Sequence, residues 1–87
     1  MYKLKIGAYK DFEPDFSYMR GNYIPRKGEI IKKYAVIYED ENENEIEEYW
    51  TLEVQTVHYE LFEDNSSLPI VYANVISSCL KEEYESE

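Results

Sequence analysis

The longest regular pattern in the chain is Glu45–Leu61, EIEEYWTLEVQTVHYEL. Ile46, Trp50, Leu52 and Val54 fall on even positions, whereas Val57, Tyr59 and Leu61 fall on odd ones. Side chains alternate faces along a strand, so an apolar phase that changes between Val54 and Val57 requires one extra residue near Gln55–Thr56. Such a β-bulge bends the strand and lets one segment line two sides of a small core. Ile46, Trp50, Val54, Val57 and Leu61 are also spaced as one stripe of a helix. Composition favours the strand. Eight of the seventeen residues of Glu45–Leu61 are β-branched or aromatic, types that lose rotamer freedom in a helix and pack well on a pleated surface.

The other segments read as partners for this bent strand. Tyr2-Lys3-Leu4-Lys5-Ile6 alternates apolar and Lys, the pattern of a half-buried strand with a cationic face, expected on a sheet edge where Lys discourages further pairing. Lys10–Asn22 has no stable period, and Pro14 and Gly21-Asn22 mark it as a polar loop; Phe12, Phe16 and Tyr18 either pin it to the core or stand out as a binding loop. Tyr23–Glu29 reads as a short strand and a tight turn, with Pro25 presetting φ and Gly28 free to take a positive one. Ile30–Glu39 carries Tyr34, Val36 and Tyr38 on one parity and Ile31, Ala35 and Ile37 on the other, which predicts a central strand or a second bent one. Asp40–Asn44 and Glu63–Ser67 are polar turns. Leu68–Ser77 is the last strand, with Pro69 at its start, and the tail permits one helical turn around Leu80. The expected fold is mainly β: about five antiparallel strands in a small bent sheet or partly open SH3-like barrel. A single domain spans 1–78, followed by an acidic tail over 79–87.

The run YIPRKGEII, followed by YAVIY and a Trp-containing strand ending in VHY, resembles short phage and prophage β proteins that place a P-x-x-G-E turn before a pair of long strands. The resemblance covers Tyr23 to Ile76 and brings no catalytic residues. It implies a phage setting, in which small acidic proteins often inhibit bacterial defences or DNA-handling enzymes.

Length and composition narrow the chemistry. Eighty-seven residues bury roughly 60–65% of the unfolded surface, enough for one core without obligatory disulfides. The lone Cys79 has no intramolecular disulfide partner, and no Cys/His cluster predicts zinc. No apolar run approaches the ~18 residues of a membrane span, and no signal-peptide pattern is present. The expected location is the cytoplasm of an infected or lysogenic bacterial cell. Asn65-Ser66-Ser67 matches a glycosylation sequon but reads there as a turn.

Charge changes the picture most. Met1–Lys33 holds eight Lys/Arg against four Asp/Glu, while Tyr34–Glu87 holds only Lys81 against fifteen acids, for a net charge of −10. This balance disfavours nucleic acid and anionic membranes and favours basic partners. Carboxylates two apart on a strand stand roughly 6.5–7 Å apart, close to the spacing of successive phosphates. Glu48 and Glu60 share one parity of the bent strand, Glu47 and Glu53 the other. With interleaved tyrosines as anchors, the expected partner-binding set is Tyr38, Asp40, Glu41, Glu43, Glu45, Glu47, Glu48, Tyr49, Glu53, Tyr59 and Glu60. Function is then binding without catalysis, metal or cofactor. The concrete expectation is a phage-type inhibitor that blocks a basic host protein by nucleic-acid mimicry. Against it stand an acidic surface that serves only solubility, a self-associating β adaptor, and a sponge for an anionic nucleotide ligand. The sponge would use Lys3, Lys5, Lys10, Arg20, Arg26, Lys27, Lys32 and Lys33.

Other chemistries fit less well. Asp40–Glu45 imitates the opening of an EF-hand loop, but Glu45 stands where Gly is needed and Thr51 where a bidentate Glu belongs. His58 and Cys79 are the sole nucleophile–base candidates, and no motif surrounds either. Choosing a glycosidase pair among nineteen acids would be arbitrary.

Overall fold

In the computed structural model, which describes residues 1–38 and 45–86 (Tyr38 by its backbone only), the Glu45–Leu61 segment is a single long strand, β4. Its partners are β1 (Tyr2–Ile6), β2 (Asp15–Met19), β3 (Ile30–Tyr38) and β5 (Ser67–Leu80), and a short helix, α1 (Lys81–Glu85), ends the chain. The order across the sheet is β2-β1-β5-β4-β3. All neighbours are antiparallel except β1 and β5, which are parallel, so the sheet is mixed. It curls into a half-barrel measuring 50 × 29 × 21 Å.

The predicted phase change is a bulge. Val54 pairs with Ala73 and Thr56 with Tyr72, leaving Gln55 unpaired; Val57 thereby returns to the core side opposite Val71. A second irregularity lies between Thr51 and Leu52, whose partners are Ser77 and Val75. The residue passed over is Ile76, which is exposed. Two bulges on opposite strands of one ribbon both add twist, which curls the sheet around its core. That core is built from one parity of three strands: Tyr2, Leu4 and Ile6 from β1, Trp50, Leu52 and Val54 from β4, and Val71 and Ala73 from β5.

Several expectations are corrected. β1 is interior, because its free side pairs with β5 across the sheet as well as with β2; a parallel partner more than sixty residues away needs no hairpin. β3 is an edge strand, not a central one. The stretch 10–22 is not merely a loop, since Asp15–Met19 forms β2 through its backbone ladder to β1. Within 7–14, Tyr9 and Phe12 exchange backbone hydrogen bonds and set their rings edge-on against Trp50 at 5.4 and 5.1 Å. Phe12 thus touches the core through Trp50 while its outer side stays exposed (38%), and Phe16 and Tyr18 stand further out in solvent. Tyr23–Arg26 forms no strand. The following turn has Gly28 at φ +89° and docks on β4 just before the bulge, Gly28 donating to the Val54 carbonyl and Val54 donating to that of Glu29. The P-x-x-G-E element therefore braces the bend.

Candidate binding surfaces

Register sorts the side chains of β4 into two sets. Before the bulge, odd positions lie on the face opposite the core; after it, even positions do. Glu45, Glu47, Tyr49, Glu53 and Glu60 therefore share the outer face, whereas Glu48 and Tyr59 fall on the core parity. Asp40, Glu41, Glu43 and the side chain of Tyr38 lie outside the described residues. An unbroken carboxylate ridge along β4 is not formed by the described residues: Tyr49 and Thr51 separate Glu47 from Glu53, and Thr56 and His58 separate Glu53 from Glu60.

The acids concentrate instead where β3, β4 and α1 meet. Glu45, Glu47 and Glu48 at the start of β4 join Glu82, Glu83 and Glu85 of α1, with Lys81 among them and Lys32 of β3 5.6 Å from the Tyr84 ring. A concavity of about 300 Å³ between them is lined by Glu45, Ile46, Glu47, Leu80, Lys81 and Glu82. The tyrosines gather here too. Tyr84 stacks on Tyr49 at 4.3 Å, and Tyr49 lies 5.8 Å from Tyr34. Glu47 is occupied on both oxygens: Tyr34 Oη donates to Oε1 at 2.5 Å, and Lys81 Nζ sits 3.3 Å from Oε2. Donation to Glu47, above all, pushes the Tyr34 phenol up to about 12. The same hydrogen bond, followed by that from Lys81, lowers the Glu47 carboxyl, and Glu47 in turn raises Lys81. Glu47 therefore fastens α1 to the sheet, and Glu85 stands 3.9 Å from the same ammonium.

A second cluster lies further along the outer face. Two rows run across β2, β1, β5 and β4: Phe16, Lys5, Tyr72 and Thr56, and beside them Tyr18, Lys3, Ile70 and His58. Lys3 Nζ stands 4.2 Å from the Phe16 ring centroid and 5.8 Å from that of Tyr18. Lys5 Nζ lies 5.3 Å from the Tyr72 ring and 3.4 Å from its hydroxyl. Of the dispersed basic set, Lys3 and Lys5 are thus brought together with aromatic partners. Phe16 and Tyr18 are expected from the sequence either against the core or in a binding loop, and neither they nor Tyr72 belong to the expected partner-binding set. The available signal was the i, i+2 aromatic pair in Asp15-Phe16-Ser17-Tyr18-Met19, in phase with the lysines of β1.

His58 and Cys79 are kept apart. Cys79 is opposite Tyr49 and His58 opposite Ile70, nine positions further along β4 or roughly 30 Å at strand rise. His58 is exposed with its ring 4.9 Å from Tyr72. Among the described residues no group of three or more His, Cys, Asp or Glu is placed to hold a metal ion, and no helix is long and apolar enough to cross a membrane. Comparison with protein-family models, curated proteins and solved structures finds no match.

Proposed function

We propose that this chain is a non-enzymatic binding protein whose acidic end seats on a basic surface of another protein, in the manner of a phage-type inhibitor of a bacterial defence or DNA-processing protein. The observation that carries this reading is the gathering of Glu45, Glu82 and Glu83 with the Tyr34–Tyr49–Tyr84 cluster at one end of an elongated molecule, with Glu48 on the other face of the same strand end. Carboxylates steer a basic partner into place, and rigid aromatic rings supply contact area at low entropic cost. The mimicry this supports is an acidic end competing for a phosphate-binding groove, with Glu45 and its flanks in place of a continuous ridge. Glu47 is not part of the contact set, because Tyr34 and Lys81 already take its oxygens.

The test is capture of a host partner followed by titration of the purified pair. Affinity should fall steeply with salt, duplex DNA should compete, and Glu45→Lys with Glu82→Lys should weaken binding several-fold without lowering Tm. Affinity indifferent to both salt and these reversals would remove the reading. Self-association is favoured by a separate observation, the edge strand β3 with Ile30, Tyr34 and Val36 exposed. It requires a defined oligomer on sizing whose population hardly responds to salt.

A further inference from the structure

β1 ends at Ile6 while its parallel neighbour β5 runs on past Ala73. The notch left beside β5 is a cavity of about 400 Å³, bordered by Lys5, Gly7, Phe16, Gln55, Tyr72 and Asn74. Three features make it more than a gap. Its aromatic walls are accompanied by two ammonium groups, Lys5 beside Tyr72 and Lys3 over Phe16, and among the described residues the ion pairs found both use Lys81. Gln55 reaches it because it is the unpaired residue of the bulge, a position that re-aims a side chain out of the ladder. Gly7 leaves space for Asn74, whose Oδ1 lies 2.5 Å from where a Cβ on residue 7 would stand.

We propose that this notch binds a nucleoside monophosphate. A planar base finds aromatic surface on Phe16 and Tyr72. Gln55 Nε2 donates to the carbonyl and carboxylate oxygens of Glu53 at 3.2 and 3.3 Å, so Gln55 offers its Oε1 as an acceptor to the base edge, and the Asn74 amide offers a donor and an acceptor. One phosphate matches the ammonium of Lys5 on the cavity wall by charge-assisted hydrogen bonding, with Lys3 adding positive charge from the next outward position of β1. The volume falls in the range of small-ligand sites. A polynucleotide fits poorly, because Glu53 and Glu60 share this face of β4 and the whole chain carries −10, which repels an extended polyanion. Asp15 also borders the cavity, its Oδ1 accepting the Phe16 N–H at 2.7 Å. That carboxylate disfavours ligands with more phosphates. The acidic end of the molecule takes no part in this site.

Calorimetric and amide-NMR titrations of the full chain with AMP and with UMP test it. Saturable one-to-one binding is expected, with shifts at Lys5, Gly7, Phe16, Tyr72 and Asn74. Adenosine and inorganic phosphate, each presenting half of the ligand, should bind more weakly than AMP. Phe16→Ala should weaken binding about tenfold, the size of one lost stacking partner, and Lys5→Gln should do likewise. Lys3→Gln replaces Lys5→Gln if the latter lowers Tm. No saturable binding by either nucleotide, or shifts confined to other strands, overturns the proposal. So does an oligodeoxyadenylate that binds more tightly than AMP, since the ligand would then be a polymer.

Discussion

Tyr34 donates its phenolic proton to a carboxylate that also holds the ammonium of Lys81, so one side chain joins β3, β4 and α1. The folded state keeps that proton after an unfolded chain has lost it. The resulting stabilisation is complete below the ordinary phenol value of 10.0 and is lost as pH rises toward about 12. Glu47 acts at the other limit: its carboxyl is lowered, so its contribution is present above the usual carboxylate range and is lost on acidification through the lowered value. Lys81, raised by Glu47, again loses its contribution only on the alkaline side. A spectrophotometric phenolate titration should therefore show late tyrosines among the ten: Tyr34 last, with Tyr2 also raised by burial and Tyr23 by its hydrogen bond to Glu29. Tyr34→Phe should remove the last step, and Glu47→Gln should move it back toward 10.0. A step at about 12 that survives Tyr34→Phe would assign the coupling to another residue.

At the level of the element, the bend in β4 depends on Gln55. Deleting it should close the ladder, with Val54 and Thr56 in direct succession opposite Ala73 and Tyr72 and Val57 still on the core side opposite Val71, so the pairing stays regular while the bend and extra twist of the bulge are lost. The Gly28–Val54 and Val54–Glu29 hydrogen bonds fix the strand just upstream, so the straightened segment is drawn away from the curvature of the core. The expected cost is about 1–3 kcal/mol, the range of an ordinary destabilising change, read from the urea midpoint. A loss under about 0.5 kcal/mol, as for a surface change, would show that the bend is set elsewhere. This bulge was legible because a phase change is local information: Val54 and Val57 disclose it between them. The bulge at Ile76 was not, because β5 is apolar on both parities and no phase can be seen to shift. β2 escaped notice for another reason. Its residues are almost all exposed, so no buried face imposes alternation, and its backbone ladder to β1 makes it a strand. The interior place of β1 and the edge place of β3 depend on which distant strands pair, which alternation does not encode. The site divides in the same way. Strand parity separates Glu47 from Glu48, but it does not reveal that Lys81 and Tyr34 take up Glu47. Nor does it reveal that Phe16, Lys5 and Tyr72 meet across three strands.

For the whole molecule, one charge distribution has two consequences of opposite sign. Six acids crowd the end formed by β4 and α1, and the ion pairs found among the described residues both use Lys81. Adding salt therefore screens more repulsion than attraction within the fold. Raising ionic strength from ~0.01 to ~0.1 M shortens the screening length from ~30 to ~10 Å, which weakens repulsion between all but the nearest of these acids. Tm should rise over that interval, while affinity for a basic partner should fall. Replacing Glu82 and Glu83 by Gln should raise the low-salt Tm and flatten its salt dependence, and should weaken partner binding in the same variant. These acids then act as a stored repulsion that a cationic surface relieves, so the partner would stabilise the chain most at low salt. A Tm that falls with salt would mean that attractive pairs dominate the fold. The acidic end would then be held by its own lysines and not left open for a partner.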